Sequence, residues 1–245
     1  MNWSAVSTET LIGRAVRLPG RLLPKSAMIP IRRGPAKGLK WRVGANTHGC
    51  WLGTYELDKQ RALMRFVREG MSIYDVGAQA GFYTLFFSKL VGPAGHVYAF
   101  EPCPIGGRDL VRHVEINRLA NVTILQVAVS DEAAMMPFSI DRDTCMNGLS
   151  SESCLLVPTA RLDDFGYRPQ LIKMDVEGGE SRALMGARRV IQSEKPILFV
   201  ALHGREQFEC VTAILREFHY DKFTLDGSPI VGTPETDEIY AMPHR

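Results

Sequence analysis

The stretch from Met71 to Glu101 constrains this chain more than any other. Ser72-Ile73-Tyr74-Asp75-Val76 predicts a short buried strand, and Gly77-Ala78-Gln79-Ala80-Gly81 the turn that follows it. Residues 82–90 have helical content, Gly92-Pro93-Ala94-Gly95 breaks the helix, and His96–Phe100 reads as a second strand closing on Glu101. Glycine lets a backbone approach a ligand where a Cβ would block it. An acid at the end of the second strand can accept both hydroxyls of a ribose. Strand, glycine turn, helix, strand and acid in this order describe a nucleoside-binding βαβ unit.

Two adenosine-bearing cofactors compete for such a unit. A nicotinamide dinucleotide wants G-x-G-x-x-G, with backbone amides and a helix N-terminus on its pyrophosphate. Here the glycines fall at Gly77 and Gly81, with Gln79 and Ala80 between them, and Asp75 stands just before the turn. A carboxylate there would repel a pyrophosphate but suits a ligand with cationic centres. S-adenosylmethionine carries a sulfonium and an ammonium and no phosphate, so D-x-G-x-x-x-G with Glu101 favours the methyl donor. A tight turn with a capping aspartate would account for the glycines but not for the paired acids.

Charge is unevenly spread. Residues 1–42 hold nine Lys/Arg and one acid, Glu9, for a net of +8, which leaves about −6 on the rest of a chain whose total is +2. Such a segment suits an anionic membrane surface or an acidic substrate, is similar in composition to a transit peptide, and equally suits a solvated leader. Trp3, Val6, Leu11, Leu18 and Leu22 give it amphipathic character that Gly13 and Pro19 interrupt. No run has the length of a membrane span. The five cysteines are odd in number, widely spaced and without C-x-x-C, so they read as reduced thiols of a cytoplasmic protein, membrane-associated if the basic segment binds lipid. No nucleic-acid partner is expected.

The length suits one large α/β domain with a small appendage. We divide it into a basic leader and linker (1–37), a cap segment (38–70) and an S-adenosylmethionine-binding domain (71–245). Pro24 to Pro35 reads as linker, Gly38 to Tyr55 as a short hairpin or capping segment, and Leu57 to Glu69 as a helix. Further helices are expected over 105–119, 179–192 and 204–218, and strands over 121–129, 135–140, 170–176 and 196–202, with shorter ones near 222–225 and 238–242. Asp141 to Ser153 reads as a polar loop. Alternating strands and helices predict a mainly parallel sheet covered on both faces, with ligands outside the carboxyl ends of its strands. Asp75, Glu101, Asp175 and His203 all fall at or just past such ends.

The second dense motif is Leu171-Ile172-Lys173-Met174-Asp175-Val176-Glu177-Gly178-Gly179-Glu180. Alternation puts Lys173, Asp175 and Glu177 on one face of a strand end. Asp175 is expected to orient an acceptor, and His203 or Lys173 to remove its proton, with Glu177 beside them. Glu180 is explained by the favourable charge of a helix N-terminus. Asp163 and Asp164 read as turn formers. Asp175 and Glu177 alone offer too few ligands for a divalent metal, and no metal site is assigned.

The chain resembles the FkbM family of S-adenosylmethionine-dependent methyltransferases over roughly Trp51 to His203. The resemblance rests on W-L-G-T-Y-E (51–56), D-V-G-A-Q-A-G-F-Y-T (75–84), F-E-P (100–102), Asn117 with Asn121-Val122, A-V-S-D (128–131), L-D-D (162–164), K-M-D-V-E-G-G-E (173–180) and Gly186-Ala187. It implies a class I (Rossmann-like) fold, a seven-stranded sheet with a reversed last hairpin, and O-methylation of a saccharide, glycolipid or natural-product acceptor. It carries the cofactor role to Asp75, Gly77, Gly81 and Glu101, with Gln79, Pro102 and Ala128 in the same motifs. Gln79 replaces the family's usual asparagine. Ala201 stands where the family often has an acid, which leaves His203 without an obvious orienting carboxylate. A nicotinamide-dependent oxidoreductase and a non-catalytic nucleoside-binding protein are the competing readings.

Overall fold

The computed structural model describes residues 23–140, 147–149, 155–234 and 236–244. A seven-stranded sheet forms its centre. The parallel strands are β3 (Ser72–Val76), β4 (His96–Phe100), β5 (Val122–Leu125), β10 (Leu171–Met174) and β11 (Ile197–Ala201). The hairpin β12 (Tyr220–Thr224) and β13 (Glu238–Pro243) completes the order β12-β13-β11-β10-β3-β4-β5. The last strand inserts antiparallel beside β11, which is the reversed hairpin expected above. The chain reverses its order between β3 and β10, and that switch point is where an open α/β sheet takes its ligand.

The central strands β3, β10 and β11 are buried on both faces, so their residues alternate between two cores rather than between core and water. Tyr74, Val76, Ile172, Met174, Leu198 and Val200 face the core under α5 (Glu180–Met185), α6 (Arg188–Glu194) and α7 (Arg205–Glu217). Ile73, Leu171 and Phe199 face the opposite core, shared with α2 (Leu57–Met64) and α3 (Phe82–Val91). By that alternation Asp75 and Lys173, directly paired across β3 and β10, come to the α2/α3 face one register step beyond Ile73 and Leu171. Two charges sit where the pattern asks for apolar side chains, and they neutralise each other there.

The element boundaries differ from expectation in informative places. The expected strand 121–129 divides: β5 stays in the main sheet, while β6 (Ala128–Val129) leaves it to pair with β9 (Leu156–Ala160). β9 was not anticipated. With β7 (Met135–Ile140) and β8 (Asn147–Leu149), inside the stretch read as a polar loop, it makes a four-stranded sheet in the order β6-β9-β7-β8. The rest of that loop, 141–146 and 150–153, lies outside the described residues.

The expected helix 179–192 is two helices, α5 and α6. Gly186 separates them, and a Cβ there would lie 1.9 Å from the Ser130 carbonyl oxygen. The expected linker contains β1 (Met28–Pro30), which pairs with β2 (Lys40–Arg42) in a hairpin spanning residue 37. Arg42 forms a bidentate ion pair with Asp109 of α4 (Pro104–Ile116), with Nε 2.7 Å from Oδ1, and Trp41 stacks on His113 at 4.1 Å. The hairpin is therefore packed on the domain. The sequence-based reading of residues 3–22 lies outside the described residues.

Candidate active site

At the switch point the turn after β3 is forced against the turn after β10. A Cβ on Gly77, whose φ is 75°, would fall 1.8 Å from the Asp175 carbonyl oxygen, so only glycine allows the two strand ends to close. The Gly77 and Ala78 amides donate to the Phe100 carbonyl, each at 3.0 Å, and lock this turn to the end of β4. Glu101 then ties the turn after β3 to the segment after β4. Its Oε2 accepts the Gln79 N–H at 2.5 Å and its Oε1 accepts the Cys103 N–H at 2.7 Å. Glu101 is 5% exposed and lines a cavity. Burial pushes the Glu101 carboxyl up to about 7, although both amides and Lys173 favour its ionised form.

The cavity has a volume of about 240 Å³. Its lining includes Gly77, Gln79, Glu101, Pro102 and Ala128 together with Lys173, Asp175 and Glu177. Asn46 donates to the Gln79 side chain, and Tyr55, just past the short helix α1 (His48–Leu52), also lines the wall. The segment before β3 is thus part of the site. Asp75 and Gly81 do not line the cavity. Asp75 is fully buried beneath it, accepting the Thr84 hydroxyl at 2.7 Å and facing Lys173 Nζ at 3.4 Å, while Gly81 caps α3. Lys173 Nζ also donates to the Gly77 carbonyl at 3.0 Å, so this lysine braces the glycine turn from below.

Around Asp175 lies an array of charge. Lys59 of α2 pairs with Glu56 at 2.7 Å, with Asp175 at 3.7 Å and with Glu238. Burial lowers the Lys59 ammonium's affinity for its proton, but these three acids outweigh it and hold the group above its ordinary value. Burial likewise pushes Asp175 up, and Lys173, Lys59 and His203 together bring it below the usual carboxylate range. Tyr83 donates to Glu56 at 2.9 Å, and burial next to that acid keeps its phenol firmly protonated.

His203 lies where the end of β11 meets this array. Its Nδ1 is 2.7 Å from Glu180 Oε1, and its Nε2 is 3.3 Å from Glu177 Oε2 and 3.8 Å from Asp175 Oδ1. The histidine thus has an orienting carboxylate after all, supplied by Glu180 from α5 rather than by the strand position that holds Ala201. Glu180 does more than favour a helix N-terminus: it is fully buried and also accepts the Gly178 N–H at 3.1 Å. The Glu180 hydrogen bond, opposed by burial and reinforced by the surrounding acids, raises His203 to about 9. At neutral pH the ring is an imidazolium, which is the wrong state to accept a proton. Glu177 is pushed above its ordinary value by burial and by its acidic neighbours, against the pull of His203. Lys173, Asp175 and Glu177 do converge, but Glu177 arrives by a left-handed turn (φ 53°) rather than by strand alternation.

The Methyltransferase FkbM domain matches residues 75–240. Among curated proteins, the 31-O-demethyl-FK506 methyltransferase FkbM of Streptomyces tacrolimicus is 35% identical over 88 residues, covering 36% of this chain and 33% of that protein. A protein-L-isoaspartate O-methyltransferase of Methanothrix thermoacetophila is 37% identical over 59 residues, covering 24% and 28%. The chain therefore spans about a third or less of the length of these curated relatives. Among solved structures, a methyltransferase FkbM from Methylobacillus flagellatus KT superimposes with a TM-score of 0.52 at 23% identity, covering 70% of this chain and 43% of that one. Its fold is that of class I methyltransferases, and the strand order described above is the same fold reached from the residues. With the match running from the acid at the end of β3 to the last strand, the chain belongs to the FkbM methyltransferase domain family.

Proposed function

We propose that this chain is an S-adenosylmethionine-dependent methyltransferase acting on a hydroxyl oxygen of a small saccharide, glycolipid or natural-product acceptor. One observation carries the reading: a single cavity is lined both by a buried ribose-type acid, Glu101, and by the acids Asp175 and Glu177. The donor set fits this cofactor. Glu101 would accept the ribose hydroxyls, Gly77 and Gln79 would lie along the ligand, and Pro102 and Ala128 would supply apolar wall to an adenine. The acids around Asp175 outnumber the lysines, which suits sulfonium and ammonium centres and opposes a pyrophosphate.

Bound there, S-adenosylmethionine supplies an electrophilic methyl group, whose transfer to oxygen forms the C–O bond and breaks the C–S bond, with the electron pair left on sulfur. The chain's part is to position and to receive a proton. Asp175 and Glu177 can accept hydrogen bonds from a hydroxyl, and holding two reactants in line supplies much of the rate in such a reaction. With His203 protonated, the proton acceptors in this cluster are carboxylates, Glu177 foremost because burial has raised its basicity. The name of the isoaspartate relative as an O-methyltransferase, and of the other as acting on a 31-O-demethyl compound, supports oxygen as the atom methylated.

An acceptor screen with methyl-labelled S-adenosylmethionine tests the proposal. Label should enter a hydroxylated small molecule as a base-stable methyl ether. Label recovered on nitrogen or carbon would overturn the oxygen assignment.

A further inference from the structure

Asp175, Glu177 and His203 do not come from one motif. The first two follow β10 and the third follows β11, yet one ligand atom from each lies within 4.8 Å of the others. We propose that these three side chains bind a divalent cation of the Mn²⁺ class beside the cavity that Asp175 and Glu177 line. Ligand atoms around one such ion stand about 3 Å apart. The separations of 3.3 and 3.8 Å from His203 Nε2 to the two carboxylates are already close to that. Two carboxylates with one imidazole are a mixed oxygen and nitrogen set, which suits Mn²⁺ or Fe²⁺ better than Ca²⁺.

Two further features point to a cation rather than to chance proximity. Glu180, fully buried, fixes the ring through Nδ1 at 2.7 Å, which turns Nε2 toward the carboxylates. A carboxylate behind a histidine in this way is the usual support of a metal-bound imidazole. Charge is the other. Glu56, Asp75, Asp175, Glu177, Glu180 and Glu238 crowd this site against Lys59, Lys173 and the His203 imidazolium, whose Nε2 proton a bound metal would replace, and both lysines are already held by acids. Buried charges are paired or coordinate metals, so the surplus asks for a further cation. In a methyltransferase, and here the inference rests on the function proposed above, the ion would bind the acceptor hydroxyl and lower its pKa. With Asp175 and Glu177 held by the ion, the hydroxyl proton that a free Glu177 would accept would pass to water instead.

The test uses the full chain and Mn²⁺ alone, without methyl donor or acceptor. Electron paramagnetic resonance of free Mn²⁺ should show one ion bound per chain, and spin-echo modulation of the bound ion should contain imidazole nitrogen. Glu180→Gln should weaken binding about 10–100-fold, and His203→Ala should abolish the nitrogen signal. If His203→Ala fails to fold, the wild-type nitrogen signal still decides. No saturable site below about 1 mM, or bound Mn²⁺ without nitrogen coupling, would overturn the proposal and leave the imidazolium itself as the cation of this cluster. S-adenosylhomocysteine affinity measured on the same samples separates the two ideas. Cofactor binding without Mn²⁺ binding sinks the metal site alone, whereas loss of both removes the functional reading as well.

Discussion

Cofactor affinity should depend on pH through Glu101. Its carboxyl is pushed up to about 7 by burial, while a ribose diol donates best to the ionised form. Binding must therefore expel a proton below pH 7. One unit below the pKa only about one carboxyl in eleven is ionised, so the dissociation constant for S-adenosylhomocysteine should be about tenfold larger at pH 6 than on its plateau above pH 8. That is about 1.4 kcal/mol. Glu101→Gln should remove this slope and cost about 1.5–3 kcal/mol at pH 8, the scale of a hydrogen bond to a charged acceptor, or roughly 10- to 150-fold. The amide keeps one of the two N–H contacts, at 2.5 and 2.7 Å, and turns the other into two facing donors. Folding has the opposite sign. A carboxyl ordinarily near 4.5 and raised to about 7 in the fold makes the native state hold the extra proton, so its contribution to stability falls as pH rises from 4.5 to 7. Calorimetry between pH 5.5 and 8.5 reads the first effect. An affinity flat with pH in the wild type, or a slope unchanged in Glu101→Gln, would refute the assignment of Glu101 to the ribose.

Other perturbations follow from the same geometry. Gly77→Ala must move a backbone carbonyl that would stand 1.8 Å from the new Cβ, so it should cost about 2–3 kcal/mol in urea denaturation and abolish S-adenosylhomocysteine binding. With chelator present, His203 should stabilise the fold fully below its ordinary 6.5 and lose that contribution as pH rises through about 9. Urea midpoints at pH 6.5 and 9.5 should accordingly converge in Glu180→Gln, and an unchanged gap would remove the Glu180–His203 coupling. Arg42→Ala should loosen the hairpin from α4 by about 1–3 kcal/mol, with a red shift in tryptophan emission as the buried Trp41 meets water. We also expect the basic segment to favour anionic lipid, since Arg32, Arg33, Lys37 and Lys40 are all exposed on or beside the hairpin. Replacing Arg32, Arg33, Lys37 and Lys40 by Ser should then reduce sedimentation with anionic vesicles at low salt, at about 1 kcal/mol per surface-near charge, and leave S-adenosylhomocysteine affinity unchanged.

What could be read from the chain follows the range of the interactions involved. The β3–turn–α3–β4 unit was legible because strand, glycines and acid are neighbours in sequence, whereas the pairing of Asp75 with Lys173 depends on β10 lying beside β3, which no local pattern gives. Asp75 nonetheless sits under the cavity rather than in it, because Lys173 takes its charge and the Thr84 hydroxyl takes an oxygen. Nothing local reveals that Glu180 would replace the acid missing at Ala201. Only the packing of α5 against the end of β11 brings it to His203. The division of the helix at Gly186 likewise depends on Ser130, which is distant in sequence. β9 escaped notice because Leu156-Val157-Pro158-Thr159-Ala160 contains a proline, tolerated at Pro158 within an antiparallel pairing to Met135.

The central claim is that the switch-point cavity binds S-adenosylmethionine, and a paired thermal-shift titration tests it most directly. At a concentration one hundred times its dissociation constant a ligand adds about 2.7 kcal/mol of stability, which in a domain of this size raises the melting temperature by roughly 5–10 °C. S-adenosylhomocysteine should give such a saturable rise in the wild type and none in Gly77→Ala, and NAD⁺ should give none in either. Stabilisation by NAD⁺, with none by S-adenosylhomocysteine, would contradict the account.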